Sequence, residues 1–357
     1  MSAPERDLAH PSREAATALT TFPRAPTLAD VGARAGVSHQ TVSRVINHAA
    51  GVRESTRVRV ITAINELGYR PNVAAKTLAS RRQNAIGVLA PTVADYGPTS
   101  VVHALEVAAA EVGFRTLETR ALDSADSARA ALQALLDQAV AGVIVVASSV
   151  AANQAVADFP TAVPILRLWP GVSTRPAVYI DQAAGIRAAF GHLVGLGHRY
   201  IQHLAGPLSH IEARLRADAF ALQCRLAGVP ELDVLRGDWS AGSGSAAAAH
   251  RDSRATALVC GNDQMALGAL AALRRERVSV PGRVSVVGFD DIPESAFFAP
   301  ALTTVAQDFT RLGSLAVDQL VEVISTGSAA SISIQPTLVI RDSTHPAWRA
   351  TQHFSAG

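Results

Sequence analysis

A chain of 357 residues, 48% hydrophobic and 17% charged, is long enough for two or three domains and apolar enough to bury a core in each. Two isolated cysteines, Cys224 and Cys260, exclude a disulfide framework and a Cys/His zinc site, and no apolar run approaches the ~20 residues of a membrane span. The net charge of +2 hides an asymmetry: over residues 24–82 ten Lys and Arg stand against three acids, while the remainder is acidic on balance.

A basic head on an acidic body points to a polyanionic partner for the head alone. The two thiols are expected in the core, as free Cys usually is. No secretory h-region is visible near the N-terminus, so the chain reads as cytoplasmic, with no membrane partner. Neither a cofactor nor a metal is expected.

Residues 1–26, with Pro4, Pro11, Pro23 and Pro26 among mixed polar residues, read as a disordered lead-in. Thr27 can cap a helix over 28–35, with Asp30 as an acidic variant of the capping box and Gly36 as its stop. Ser38 then caps a second helix over 39–47, and two short helices joined by a Gly-containing turn make a helix-turn-helix. On the second helix Val42, Val45 and Ile46 fall on one stripe and His39, Gln40, Ser43, Arg44 and Asn47 on the other. A polar stripe is usually a solvated face. In a basic head it suits base edges and phosphates, because Gln pairs bidentately with adenine and Arg with guanine. A third helix over 56–67 is expected to be capped by Ser55 and stopped by Gly68, with Val58, Ile61 and Ile64 inward. Arg53, Arg57 and Arg59 suit phosphate contacts, which position a protein without specifying sequence.

"YRPNVAAKTLASRR" follows at 69–82. Pro71 breaks the preceding helix and Asn72 can cap a new one, small and apolar through Ala75, Leu78 and Ala79 with Lys76 beside them. By composition this is equally a linker or a hinge helix that inserts Leu78 between base steps of a minor groove.

From residue 85 onward, β-rich runs such as "AIGVLA", "GVIVVAS", "VPILRLW", "AVYID", "YIQHLAG", "TALVCGN" and "VSVVGFD" alternate with Ala/Leu-rich helical stretches. Alternating βα units imply parallel sheets covered on both faces, and about 260 residues exceed one core, so two lobes are expected. Open α/β sheets bind ligands at the carboxyl ends of their strands. There stand Asn262 and Asp290, with Arg216 on the helix after "HLAGP" and Trp239 and Phe309 as flat apolar faces. No GxSxG, HExxH or Walker loop is present, "GPLSH" and "GSGS" read as loops, and an enzyme is not expected. A sugar-binding protein without a regulatory role would leave the basic head without a purpose.

"TLADVGARAGVSHQTVSRVIN" and "LGYRPNVAAKTLAS", followed in order by "HLAGP", "ARLR", "GDWSA", "GNDQMALGAL", "VSVVGFDD" and "ALTTVAQDFTRLG", resemble the lac-repressor/galactose-repressor family of bacterial transcription regulators. The likeness covers residues 27 to about 342, and several body motifs lie nearest the lac-repressor branch. It implies an all-α helix-turn-helix headpiece (27–70), a hinge helix (71–83) and a two-lobed α/β effector domain of the type I periplasmic-binding-protein kind (84–342), then a short tail (343–357). The headpiece and hinge residues it implies at DNA are Thr27, Ser38, His39, Gln40, Thr41, Ser43, Arg44, Asn47 and Arg57, then Asn72, Ala75, Lys76, Leu78 and Ala79. It places Arg216, Trp239, Asn262, Asp290, Gln307 and Phe309 around a sugar, with Pro98 also matching.

Departures cluster at one end of that site. His210 and Glu212 stand where the lac-repressor branch has small Ser, Ser149 and Val150 replace a Leu-Asp pair, and Asp95 and Tyr96 replace Leu and His. The expected effector is therefore a sugar or glycoside, possibly a galactoside, with Asp95, Ser149 and Glu212 at the rebuilt end. A pseudo-palindromic operator DNA and a homodimer resting on Leu267 and Phe298 complete the implied partners. The sequence after "LVIRDST" is too short and polar for a tetramer-forming heptad tail.

Overall fold

The structure, a computed structural model, describes residues 26–46, 51–69, 84–92, 95–146, 149–157, 159–169 and 175–347. Asn47, the expected hinge residues Asn72, Ala75, Lys76, Leu78 and Ala79, and all but the last residue of the expected lead-in lie outside them. The chain divides into two compact units, Met1–Arg81 and Arg82–Gly357.

In the first unit, α1 (Leu28–Ala35), α2 (His39–Ile46) and α3 (Glu54–Leu67) enclose Val31, Ala35, Val42, Val45, Val60, Ala63 and Tyr69. Thr27 and Asp30 form the reciprocal capping box: the Thr27 N–H donates to Asp30 Oδ2 at 2.7 Å and the Asp30 N–H to Thr27 Oγ1 at 3.4 Å. Gly36 ends α1 in the left-handed region at φ 64°. At Gly32 a Cβ would lie 2.8 Å from the Val37 carbonyl oxygen, so the turn between the helices closes only over glycine. Ser38 begins α2 by accepting from the Thr41 N–H at 3.2 Å.

Helix α3 departs from the expectation in two ways. It starts at Glu54, so Ser55 is its second residue and caps nothing; Arg53 occupies the cap position without a side-chain bond. Its inner face is Val60 and Ala63, with Ile64 and Leu67 half-buried, whereas Val58 and Ile61 are 55% and 47% exposed. Two apolar stripes at helical spacing compete on this helix. The one carrying the small Ala63 packs into the shared core of the headpiece.

The second unit is built from two lobes. In the amino lobe β1 (Ala85–Pro91), β2 (Arg115–Ala121), β3 (Gly142–Val145) and β4 (Ile165–Arg167) form a parallel sheet in the order β2-β1-β3-β4, with Ile86 opposite both Thr116 and Gly142. A bridge from Arg167 to Ala177 leads to β5 (Val178–Ile180), which pairs in parallel with β11 (Ile332–Ile334). In the carboxyl lobe β6 (Ile201–Ala205), β7 (Leu235–Arg236), β8 (Ala257–Cys260), β9 (Ser285–Asp290), β10 (Thr303–Ala306) and β12 (Thr337–Val339) lie in the order β12-β10-β9-β8-β6-β7. Only the β10–β12 pair is antiparallel. Each sheet carries one apolar cluster on each face, as parallel strands buried on both sides require.

Helices α4 (Tyr96–Glu111), α5 (Ala125–Asp137), α6 (Val150–Ala157) and α11 (Phe309–Thr326) serve the amino lobe; α7 (Gln182–Gly195), α8 (Ile211–Ala227), α9 (Ala241–Ala248) and α10 (Asp263–Arg275) serve the carboxyl lobe. The chain passes between the lobes near Asp181, at 307–308 and at 335–336. "GSGS" at 242–245 is not a loop: Ser240 caps α9 through the Ser243 N–H, and Gly244 and Gly268 let α9 and α10 approach backbone to backbone. Cys224 and Cys260 are buried free thiols. Ser343, assigned to the tail by the sequence, is fully buried; its hydroxyl donates to the Val286 carbonyl at 2.6 Å and accepts from the Thr303 N–H at 2.8 Å. Among the described residues no helix is long and apolar enough to cross a membrane.

Candidate DNA-reading face and effector cleft

On α2 the apolar stripe faces the headpiece core, which turns His39, Gln40 and Arg44 outward as exposed side chains with no hydrogen bond or ion pair among the described residues. Ser38 and Thr41 share a hydroxyl contact of 3.0 Å at the start of the helix, and Thr27 belongs to the α1 cap. Arg57 lies 3.6 Å from Glu54 on its own helix, so this cation is partly neutralised. The helix thus presents one guanidinium, one amide and one imidazole with nothing of their own to bind.

A cavity lies between the two lobes, about 900 Å³ counted with its open mouth. Of the expected effector residues it brings together Asp95, Pro98, Glu212, Arg216, Trp239, Asn262, Asp290, Gln307 and Phe309. Ser149 is not on its wall. It is buried behind it, where its hydroxyl accepts from the Ala152 N–H at 3.1 Å to start α6 and its backbone bridges to His210. A short Ser after a strand is consumed as a helix cap, and the expectation of ligand contact fails there.

One end of the cleft is a hydrogen-bonded circuit. Arg216 on α8 donates through Nε to Gln182 Oε1 at 2.8 Å and through Nη1 to the Gly261 carbonyl, and Nη2 lies 3.9 Å from Asp290 Oδ1. Gln307 donates to the same Asp290 oxygen at 2.7 Å, and Gln182 closes the circuit by donating to Gln307 Oε1 at 2.9 Å. Burial pushes the Asp290 carboxyl up to about 6, with Arg216 and Gln307 pulling against it. Its backbone sits at φ 111° and that of Asp291 at φ 55°, local strain that turns the carboxylate out of the sheet and into the cleft. The Arg216 guanidinium carbon lies over the Phe289 ring, 3.9 Å from its centroid.

Asn262 caps α10 by accepting from the Met265 N–H at 2.9 Å and donates to the Trp239 carbonyl at 3.0 Å, so it fixes the backbone of the aromatic wall. The Trp239 ring occupies the space above Gly206, where any Cβ would collide with it. Across the cleft Tyr96 and Phe309 meet edge to face with centroids 6.0 Å apart.

At the other end, His210 accepts at Nδ1 from Trp239 Nε1 at 3.0 Å, and its Nε2 lies 2.9 Å from Asp123 Oδ2. An indole N–H only donates, so Nδ1 carries no proton and the Nε2–H donates to Asp123. That contact joins the carboxyl lobe to the loop after β2 of the amino lobe. Asp95, the residue before α4, and Glu212, in the first turn of α8, face the cavity, and burial pushes both carboxyls up.

Gln182 was missed as a site residue, whereas His210, read from the sequence as a departure at the rebuilt end, does line the cavity. Gln182 follows "AVYID" at a strand's carboxyl end, the same signal that marked Asn262 and Asp290; for His210 the sequence holds only its departure from the family pattern. Among the described residues no group of three His, Cys, Asp or Glu is placed to hold a metal ion. Of the residues expected at a dimer face, Leu267 is 42% exposed on α10, but Phe298 is half-buried, packed against one apolar cluster of the carboxyl lobe. The 3-10 turn Pro293–Phe297 instead presents Phe297, 87% exposed.

A helix-turn-helix headpiece carried on a two-lobed α/β domain with a polar, aromatic-walled cleft defines a DNA-binding regulator with a ligand-binding effector domain. Residues 27–72 match the model of bacterial regulatory proteins of the lacI family, and residues 190–344 that of a periplasmic binding protein-like domain. Over 330 residues the chain is 34% identical to the lactose operon repressor of Escherichia coli, covering 89% of this chain and 90% of that protein. It is 33% identical to the HTH-type transcriptional regulator GalS of Salmonella typhimurium, covering 90% and 97%. A crystal structure of the lac repressor dimer bound to operator and the anti-inducer ONPF matches with a TM-score of 0.84 at 35% identity, covering 90% of this chain and all of that one. The chain belongs to the lacI family of bacterial regulatory proteins; it is a DNA-binding transcriptional repressor and not an enzyme.

Proposed function

We propose that the protein binds a pseudo-palindromic operator as a homodimer and leaves it when a sugar or glycoside occupies the interlobe cleft. The observation that carries this reading is the meeting of Arg216, Asp290, Gln307 and Gln182 in one buried circuit beside the rings of Trp239 and Phe309. Alternating donors and acceptors against flat apolar faces suit adjacent ring hydroxyls. The relatives agree in kind: a cellobiose complex of the transcriptional regulator CelR has a TM-score of 0.66 to this chain at 30% identity. In each headpiece His39, Gln40 and Arg44 read base edges while Arg57 contacts the backbone, and residues 71–83, with Lys76 and Leu78, serve as the hinge. Ligand must favour the conformation that does not bind DNA, since an equilibrium shifts only by differential affinity, and DNA then weakens ligand binding by the same factor.

In-vitro selection of bound DNA, followed by release measured as fluorescence anisotropy against a sugar panel, tests it. A selected sequence with two-fold symmetry and release by a sugar without sugar turnover is the expected result; a monomer on the selected DNA overturns it. Gln40→Ala costs about 1–3 kcal/mol on the selected site and much less on random DNA. Equal loss on both removes Gln40 from base reading.

A further inference from the structure

We propose that Ser209–Ile211 is a strap that ties the carboxyl lobe to the amino lobe on the side of the cleft away from the chain crossings. His210 at its centre positions the Trp239 wall, and the strap must let go before the lobes can part to admit or release a ligand. The inference rests on the reading of the cleft as the effector site.

Strand order sets the two sides of the cleft. The chain crosses between the lobes beside β4 and β5 on the amino-lobe side and beside β10 and β12 on the carboxyl-lobe side. The opposite sheet edges are β2 in the amino lobe and β6 and β7 in the carboxyl lobe. Asp123 follows β2, residues 206–211 follow β6 and Trp239 follows β7. Two lobes joined only at the crossings would hinge open at these far edges.

The far edges are tied. The Val150 N–H, after β3 of the amino lobe, donates to the Ser209 carbonyl at 2.9 Å, and Ser149 and His210 pair as an antiparallel bridge. The His210 side chain meets Asp123 Oδ2 at 2.9 Å. Ile211, the first residue of α8, packs against the apolar cluster on one face of the amino-lobe sheet. Main chain, polar side chain and apolar side chain all cross between the lobes within three consecutive residues.

His210 holds the N-cap position of α8 and makes no cap bond; it is 6% exposed, with Trp239 Nε1 on one ring nitrogen and Asp123 on the other. A helix start ordinarily spends a short polar side chain on its own free N–H groups. Here that bond is given up for one between the lobes. The same histidine holds Trp239, whose backbone sits at φ 76° and whose ring covers Gly206 at the root of the strap. A ligand that presses on the Trp239 ring therefore acts on His210 and, through it, on Asp123. Asp123 itself is not on the cavity wall, so removing it loosens the strap without removing a wall residue.

Hydrogen exchange of the full chain, free of DNA and sugar, reads the strap at one amide. Val150 lies in the first turn of α6, where an N–H has no partner within its own helix, so its protection comes from the Ser209 carbonyl. In Asp123→Ala that amide is expected to exchange about tenfold faster, the effect of losing one hydrogen bond from a local opening. The Val146 and Gly261 amides, bonded to Leu89 and Leu204 within one lobe each, are expected to keep their rates. Asp123→Asn retains an oxygen that accepts from His210 and is expected to match the unaltered chain. For each panel sugar that releases the selected DNA, stopped-flow tryptophan emission of Asp123→Ala is expected to show entry and exit sped by the same factor, with affinity unchanged. Unaltered Val150 exchange overturns the strap, and so does faster exchange without faster sugar entry and exit. If no sugar binds, the effector reading falls and Val150 exchange alone decides the strap. Asp123 is half-exposed in a loop, which keeps the substitution clear of the core.

Discussion

The two ends of the cleft solve the burial of charge in opposite ways. At the Arg216 end each polar group already has its partner inside the protein, so the wall is rigid before any ligand arrives and a ligand must fit the donors and acceptors left over. At the Glu212 end neither Asp95 nor Glu212 has a side-chain hydrogen bond to another residue among the described residues, and the fixed element is His210, clasped between Trp239 and Asp123. The first end is expensive to disturb because its groups depend on one another. The second is cheaper to alter, because fewer of its groups depend on one another.

Arg216→Ala is the most damaging way to break that contrast. It strands Asp290 without its cation and Gln182 without its donor, and loss of one partner from a buried ionic pair costs about 3–5 kcal/mol. Denaturant unfolding is expected to show that loss together with loss of effector response. An unchanged midpoint would mean the circuit is no more integral than the open end.

Acidification separates the ends next. Asp290 has its carboxyl raised to about 6, so below that pH it protonates and stops serving as an acceptor of two charged or polar donors. Effector affinity is expected to fall about tenfold per pH unit once below about 6, the limit for one proton taken up against binding. The sign for folding is opposite. A carboxyl raised on folding adds stability in its protonated form, fully present below its unfolded value of 3.8 and lost as pH rises through about 6. Calorimetric titrations at pH 5 and pH 7 check the first statement, and Asp290→Asn is expected to flatten the profile.

Gly206→Ala crowds the Trp239 ring, which both ends share, and overpacking of this kind costs about 1–3 kcal/mol. The shift is expected in tryptophan emission as well as in the thermal midpoint. His210→Ala is the mildest change, removing two hydrogen bonds worth about 1 kcal/mol each and loosening the tie between the lobes. If it destabilises as much as Arg216→Ala, the two ends are not different in kind.

Much of this was legible in the sequence, for identifiable reasons. Apolar runs ending in a polar residue marked the strand ends carrying Asn262 and Asp290, and the capping box at Thr27 marked α1. The strand Arg115–Ala121 escaped because it is an edge strand, polar at all but Leu117 and Ala121 and fully buried only at Ala121. Val58 and Ile61 misled because two apolar stripes fit one helical period, and only contact with α1 and α2 selects between them. Ser149 looked like a wall residue because it follows a strand, yet a cap was the stronger demand. The His210–Asp123 contact spans 87 positions, and nothing local to either residue announces it.

The return of the chain to both lobes also sets an order of events on the ribosome. The strands Ile332–Ile334 and Thr337–Val339 complete one sheet each, and Ser343 is locked beneath β9 only after them. Neither lobe can reach its final form while those dozen or so residues remain in the exit tunnel, whereas the headpiece has its own core and its helices emerge first. A transcript broken before codon 332 therefore yields a nascent chain with a folded DNA-reading module and two unfinished lobes, a target for proteolysis rather than a smaller regulator.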